Sequence, residues 1–291
     1  MHASRDGCDA RPGMNEDRLP PGLYIVATPI GNLGDLTPRA ADVLRRADLV
    51  LAEDKRVTAK LLAHSGAKTR LANYNDHTNE AERARIVSKL GDQAIALVSD
   101  AGTPLISDPG YKLVRDARAA GHTVHTLPGP SAVIAALTLA GLPTDRFLFA
   151  GFLPSKAKAR ADAIAEIAGV RATLVFYESG PRLADALAAL ADRLGQREAA
   201  VSREISKLHE ETVTGSLGEL ADRYADHPPK GEIVIIVGPP AERAAATDDE
   251  LDAALDEALK RMSPSRAAAE VAAALNVPRK RTYARALELS K

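Results

Sequence analysis

The strongest constraint on this chain is a repeated change of texture in its first half. Apolar runs at residues 22–27, 49–52, 94–98 and 124–127 are too short for helices, and each gives way to a loop of turn-forming or charged residues. Between the first two runs, Thr37-Pro38 supplies a helix N-cap and a first-turn proline, and Ala40, Val43, Leu44 and Ala47 recur at helical spacing. Strand, glycine loop, helix, strand is a βαβ unit, and strands joined through a helix run parallel. Parallel α/β sheets bind ligands outside the carboxyl ends of their strands, so the loops after these runs are where a site is expected.

The loop at 99–109 is the densest in turn-forming residues. Gly102 tolerates positive φ, Pro104 and Pro109 stiffen the backbone, and Ser99, Asp100, Thr103 and Asp108 offer short polar side chains to a turn or to a ligand. The first loop, Thr28-Pro-Ile-Gly-Asn-Leu-Gly-Asp35, has Gly31 and Gly34 but lacks the three-glycine dinucleotide fingerprint. It reads either as a tight turn or as a close backbone approach for a small molecule. A third loop, Pro128-Gly-Pro-Ser131, precedes an apolar helix for which Ser131 is a good N-cap, and Ala132, Ala135, Ala136 and Ala140 give that helix a close-packing face. Asn79 with Glu82 reads as a capping box for a helix to Leu90, and a further helix from Tyr111 ends at Gly121.

The texture changes near residues 146–154. Beyond it a helix after Lys156, a strand at 172–177, a leucine-striped helix stopped by Gly195, strands at 199–203 and 208–214 and a helix at 216–226 lead to the strand 232–237. That last run, Glu-Ile-Val-Ile-Ile-Val, is apolar on both faces and belongs in the centre of a mixed sheet. Residues 241–250 resemble a linker, and 251–289 are helical throughout, two short helices about the turn 276–281 resembling a helix-turn-helix with Arg279, Lys280 and Arg281 at its turn. The expected organisation is α/β: a disordered leader at 1–21, an α/β domain with a parallel sheet at 22–148, a second α/β domain with a mixed sheet at 149–240, and a linker with a small helical domain at 241–291.

Several chemistries are disfavoured. The single cysteine, Cys8, lies in the leader, so no disulfide framework or cysteine zinc site is available. His122 and His125, three apart on a predicted strand, face opposite sides and share no metal, and no metal site is expected. No Gly-x-Ser-x-Gly elbow is present. No apolar run approaches the roughly 20 residues of a membrane span, so a cytoplasmic location is expected. With 3% aromatic residues and no Trp, base stacking is not the main binding device. A reaction that needs only the positioning of an activated donor fits better.

Nine stretches then carry a specific resemblance. In order they are Ile25-Val-Ala-Thr-Pro-Ile-Gly-Asn-Leu-Gly-Asp, Ala52-Glu-Asp-Lys-Arg, Val98-Ser-Asp-Ala-Gly-Thr-Pro, Ser107-Asp-Pro-Gly, Leu127-Pro-Gly-Pro-Ser-Ala, Gly151-Phe-Leu-Pro, Phe176-Tyr-Glu-Ser, Arg203-Glu-Ile-Ser-Lys-Leu-His-Glu-Glu and Lys230-Gly-Glu-Ile-Val. Together they resemble the ordered motifs of the bacterial ribosomal RNA small-subunit methyltransferase I family, within the tetrapyrrole methylase superfamily. This chain departs from the pattern at Lys55, where the family usually has Thr, and at Gly180-Pro-Arg182, where it has Pro-His-Arg.

The resemblance implies two α/β domains with a cleft between them and a small helical C-terminal domain. It also implies a homodimer that uses S-adenosylmethionine to methylate a cytidine ribose 2′-hydroxyl in 16S ribosomal RNA of the small subunit. The donor is expected against Pro29, Ser99, Asp100, Ala101, Gly102, Thr103, Pro104, Ser131, Ala132, Phe176, Tyr177, Gly231 and Glu232, with Ser107 to Gly110 shaping the next helix start. Glu53, Asp54 and Lys207 are candidates for the catalytic base, as are Glu178 and Glu204, and the sequence does not choose among them. Arg56, Arg182, Arg203, Arg279, Lys280 and Arg281 are candidates for RNA phosphate contacts. A tetrapyrrole or other small acceptor, and a non-catalytic RNA-binding or assembly protein, are the alternatives.

Overall fold

The computed structural model describes residues 18–241, 246–275 and 277–290. Cys8 and Asn276 lie outside the described residues. The chain forms two compact units, Met1–Pro239 and Pro240–Lys291.

The first unit contains two sheets. Strands β1 (Gly22–Val26), β2 (Leu49–Ala52), β3 (Leu71–Asn73), β4 (Ala94–Leu97) and β5 (Val124–Leu127) make a sheet in the order β3-β2-β4-β1-β5 with every pairing parallel. Helices α1 (Pro38–Arg46) and α2 (Lys55–Ser65) cover one face, where Val43, Leu44, Leu61 and Leu62 meet Val26, Val50 and Ala96. Helices α3 (Glu80–Lys89) and α4 (Tyr111–Ala119) cover the other, where Ile86, Val87 and Leu113 meet Leu23, Ile25 and Leu51. Strands buried on both sides are apolar at every position, which is why β1, β2 and β4 were legible. As expected, the Thr37 hydroxyl caps α1, accepting from the Ala40 N–H at 3.1 Å. Asn79 caps α3 by accepting from the Glu82 N–H at 2.9 Å.

Some details differ from expectation. Residues 18–21 of the presumed leader are held to the sheet: Tyr24 donates its hydroxyl to the Pro20 carbonyl (2.8 Å) and Arg18 pairs with Asp48 (3.4 Å). The sequence signals neither helix α2 nor the three-residue edge strand β3, because the charged 53–56 stretch reads as a loop. Strand β5 begins at Val124, so His122 precedes it, and His125 stacks on Tyr24 with ring centroids 4.4 Å apart.

Strands β6 (Phe147–Phe152), β7 (Thr173–Ser179), β8 (Glu198–Arg203), β9 (Glu211–Ser216) and β10 (Glu232–Val237) form the second sheet, ordered β6-β7-β10-β8-β9. β6 runs parallel to β7 and the remaining pairs are antiparallel, so the sheet is mixed and β10 is central. The strand expected at 208–214 starts only at Glu211, because the segment before it turns through positive φ at Glu204 (49°) and Ser206 (67°). Helices α6 (Ala157–Ile167), α7 (Leu183–Leu194) and α8 (Leu217–Ala225) bury Ile164, Leu183, Leu187 and Leu220 on one face. Helix α5 (Ala132–Leu139) lays Val133, Ala136 and Leu137 on the other, against Val175, Ala200, Val234 and Ile236. Each large side chain buried this way stabilises by about 1.5–3 kcal/mol. The boundary expected at 148/149 falls inside β6, which is hydrogen-bonded into the second sheet.

In the second unit, α9 (Asp248–Leu259), α10 (Pro264–Leu275) and α11 (Arg279–Leu289) enclose Leu251, Leu255, Ala267, Val271 and Ala286. Thr247 and Glu250 form a reciprocal capping box on α9. Arg279, Lys280 and Arg281 are not in the turn but form the first turn of α11.

Candidate active site

Because β1 and β4 are parallel neighbours, the loops that follow them leave the same edge side by side. They are joined there: the Thr28 N–H donates to the Gly102 carbonyl (2.8 Å) and the Gly102 N–H returns to the Thr28 carbonyl (3.1 Å). A φ of 80° at Gly102 gives that exchange its geometry. The Asp54 N–H donates to Asp100 Oδ1 at 3.0 Å, which ties in the loop after β2. Three loops thus become one edge.

Facing it are the end of β7, the start of β10 and the 204–210 turn. Gly231 has a φ of 99°, and a Cβ there would stand 2.1 Å from Glu204 Oε1, so the glycine leaves room for the Glu204 side chain in this position. A Cβ on Gly31 would stand 2.4 Å from Lys207 Cε, so the first glycine loop is roofed by the lysine stem. Lys207 Nζ donates to Glu204 Oε1 (3.0 Å) and Glu232 Oε2 (2.9 Å), and the Ser206 hydroxyl donates to the Asp35 carboxylate.

Between the two edges lies a cleft of about 380 Å³, within the usual range of small-molecule sites. Of the residues proposed for the donor, Asp100, Ala101, Gly102, Ala132, Tyr177, Gly231 and Glu232 line it, and of the base candidates Glu53, Glu178, Glu204 and Lys207 do. A second hollow of about 320 Å³ shares Asp100, Ala101, Lys207 and Glu232 and adds Pro29 and Ser99.

Other expected residues are elsewhere. Phe176 is 0% exposed in the core of the second sheet, on the opposite side of β7 from Tyr177. Thr103 turns its hydroxyl to the Pro130 carbonyl at 3.1 Å, and Pro104 is buried; neither lines the cleft. Ser131 occupies the N-cap of α5, but its hydroxyl makes no capping bond and does not face the cleft.

Ile106, Ser107, Asp108, Phe152 and Ile205 also line the cleft, although nothing in the sequence assigns them to it. Positive φ at Leu105 (76°) and Ser107 (63°) folds residues 105–108 back toward Ala101, so Ser107 and Asp108 do more than shape α4. Strained non-glycine conformations of this kind cluster at functional sites, and no residue type at 105 or 107 announces them.

Charge sorts the base candidates. Hydrogen bonds from Arg56 hold the Asp54 carboxyl down at about 2, and its Oδ1 already caps α2 through the Arg56 N–H at 2.8 Å. Burial pulls the Lys207 ammonium down, but Glu232 and Glu204 outweigh it and its pKa is raised, so it stays protonated. Neither group can accept a proton near neutral pH. Glu53 is raised by burial, then by Asp100 and Asp76. Asp108 is pushed up to about 6 by burial and by the charge of Glu53, with a Ser99 hydrogen bond opposing. A carboxylate poised there suits general-base chemistry.

The expected RNA-contacting arginines are mostly committed. Arg56 pairs with Asp54 (2.8 Å), Arg203 with Glu211 (2.6 Å) and Arg281 with Asp248 (2.7 Å). Arg182 is held by the buried Glu178 (3.2 Å) and by the Leu153 carbonyl. Arg279 and Lys280 are exposed.

Residues 22–221 match the Tetrapyrrole (Corrin/Porphyrin) Methylases family, and residues 245–290 match the RsmI C-terminal HTH domain. The chain is 57% identical over 271 residues to the ribosomal RNA small subunit methyltransferase I of Erythrobacter litoralis, covering 93% of this chain and 96% of that one. It is 48% identical to the protein of the same name from Mesorhizobium japonicum, covering 93% of each. Among solved structures, a uroporphyrin-III-C-methyltransferase from Thermus thermophilus superimposes with a TM-score of 0.52 at 23% identity, over 76% of this chain and 93% of that one. A diphthine synthase gives a TM-score of 0.59 at 16% identity, over 74% of this chain and 89% of that one. These two share its fold. The nine ordered motifs, the paired sheets and the helical second unit therefore have one explanation: the chain belongs to the ribosomal RNA small subunit methyltransferase I family of tetrapyrrole methylases.

Proposed function

We propose that this chain transfers a methyl group from S-adenosylmethionine to the 2′-hydroxyl of a cytidine ribose in 16S RNA of the small ribosomal subunit, acting in the cytoplasm as a homodimer. The observation that carries this reading is the 57% identity, over 93% of the chain, to a relative named for methylating that subunit's RNA. The cleft supports it in kind. Ala101, Gly102, Ala132 and Gly231 present little but backbone, Ile30, Ile205 and Val234 offer apolar walls to a heterocycle, and Asp100, Asp108 and Glu232 favour a cation such as a sulfonium or an α-amino group. One structural neighbour, a uroporphyrin-III C-methyltransferase at 22% identity, is described as complexed with S-adenosylhomocysteine. Among the described residues no helix is long and apolar enough to cross a membrane.

S-adenosylmethionine supplies an already electrophilic methyl group, so the protein's share is in-line placement of the acceptor oxygen and removal of its proton. In this reading Asp108 accepts that proton. Lys207 bridges Glu204 and Glu232 as a fixed cation, and the Thr28–Gly102 exchange fixes the floor. Pro29, Ser99, Thr103, Pro104 and Ser131 act through the backbone they shape, and Phe176 acts through the core that positions Tyr177. The test is tritiated-methyl transfer to isolated small subunits, naked ribosomal RNA and a tetrapyrrole, followed by nucleoside analysis. Label on a cytidine ribose is expected; label on a base, or on the tetrapyrrole alone, overturns the proposal.

A further inference from the structure

The cleft has no handle for a polyanion. Glu53, Asp100, Asp108, Glu178, Glu204 and Glu232 face it, with Lys207 as its one cation. An RNA acceptor is therefore anchored outside it, and of the arginines that the sequence nominates for phosphate Arg56, Arg182 and Arg281 are paired, while Arg203 is paired through its Nε alone.

A separate hollow of about 360 Å³ lies on the first unit, where α8 meets β8 and β9, lined by Arg203, Glu211, Arg223, Tyr224, His227 and Pro229. Arg203 spends only Nε on Glu211, at 2.6 Å, which leaves its two terminal amino groups without a hydrogen bond among the described residues. Arg223 and His227 are exposed and make no ion pair among the described residues. Tyr224 is 6% exposed, and its buried hydroxyl makes no hydrogen bond of good geometry, although Arg223 is close enough to oppose the rise that burial gives its pKa. A buried phenol without a proper acceptor is costly unless a ligand completes it. The pocket also adjoins the cleft along the chain: Arg203 runs directly into Glu204, and Pro229 into Gly231 and Glu232, which line the cleft.

Resting on the reading of the cleft as the methyl-transfer site, we propose that this pocket binds a backbone phosphodiester of the acceptor RNA, through the free amino groups of Arg203, the Arg223 guanidinium, His227 and the Tyr224 hydroxyl. Guanidinium forks and phenols suit tetrahedral phosphate oxygens. Glu211, which also lines the pocket, fixes Arg203 in place through its Nε.

The test compares full-length wild type with R223A/H227A and with Y224F, both altered only in this pocket. Filter binding of naked 16S ribosomal RNA is measured over a range of salt, with calorimetric titration of S-adenosylhomocysteine and thermal melting as controls. The double variant is expected to bind RNA about tenfold more weakly, with a salt slope smaller by about 1–2. Y224F is expected to lose a few-fold, and donor affinity and melting temperature are expected to hold in both. Unchanged RNA affinity and salt slope in R223A/H227A overturn the proposal. So does saturation of the pocket by millimolar inorganic phosphate with no effect on RNA binding, which marks a free-phosphate site. If wild type methylates no RNA yet R223A/H227A loses RNA binding, the pocket stands and the reading of the cleft falls.

Discussion

Asp108→Asn separates what the fold tolerates from what the site needs. In the folded chain burial and Glu53 raise this carboxyl from 3.8 to about 6. The folded protein therefore holds the Asp108 proton more tightly than the unfolded chain does. Ionising Asp108 costs folding free energy, which accrues as pH rises from about 3.8 to about 6 and is complete above that. At about 1.36 kcal/mol per pKa unit the shift corresponds to about 3 kcal/mol; solvent reaching this half-buried side chain screens it to about 1–2 kcal/mol. An amide carries no charge, so D108N should be more stable than wild type at pH 8, by about 2–4 °C in Tm for each kcal/mol. That advantage should shrink as pH falls from 6 toward 4. Methyl transfer should meanwhile fall by about 10²-fold or more, as for loss of a general base. Scanning calorimetry across this pH range and a transfer assay at pH 7.5 read both effects. An advantage that persists undiminished at low pH, or none at pH 8, refutes the electrostatic account; full activity in D108N refutes its role as base.

Two further outcomes follow from the packing. Phe176→Leu, a change in the core on the far side of β7 from the cleft, should lower stability by about 1–3 kcal/mol in urea denaturation while leaving S-adenosylhomocysteine affinity within twofold. Gly180→Ala should cost about 1–3 kcal/mol by the same measurement, because its Cβ would meet the Pro229 carbonyl oxygen at 1.6 Å and push away the segment leading to Gly231.

The first sheet could be read because its strands are buried on both faces, and β10 could be read for the same reason. α2 could not, since it opens on Lys55-Arg56 and its cap, Asp54, sits in a charged run. The late start of β9 depends on positive φ at Glu204 and Ser206, which neither residue type announces. At the site, glycines marked where backbones approach, and Gly102 and Gly231 lie there. Side-chain parity was less visible: Phe176 and Tyr177 are both apolar enough for either face of β7, and the deeper core on one side took the phenylalanine while the phenol stayed at the cleft. Asp108 was recognised as a loop residue but not as a base. Its raised pKa comes first from burial in the folded loop and then from Glu53, which is brought alongside only when β2 and β4 pair.

The most direct test of the cleft as the donor site is calorimetric titration of S-adenosylhomocysteine into wild type and Ala101→Phe, with melting temperature as a control for folding. Ala101 is half-buried and lines both hollows at the floor of the cleft, so a phenyl ring there fills the space without entering either sheet. Wild type should bind with a defined stoichiometry, and the variant should melt like wild type and lose at least tenfold in affinity. Equal affinity in the two proteins would contradict the account.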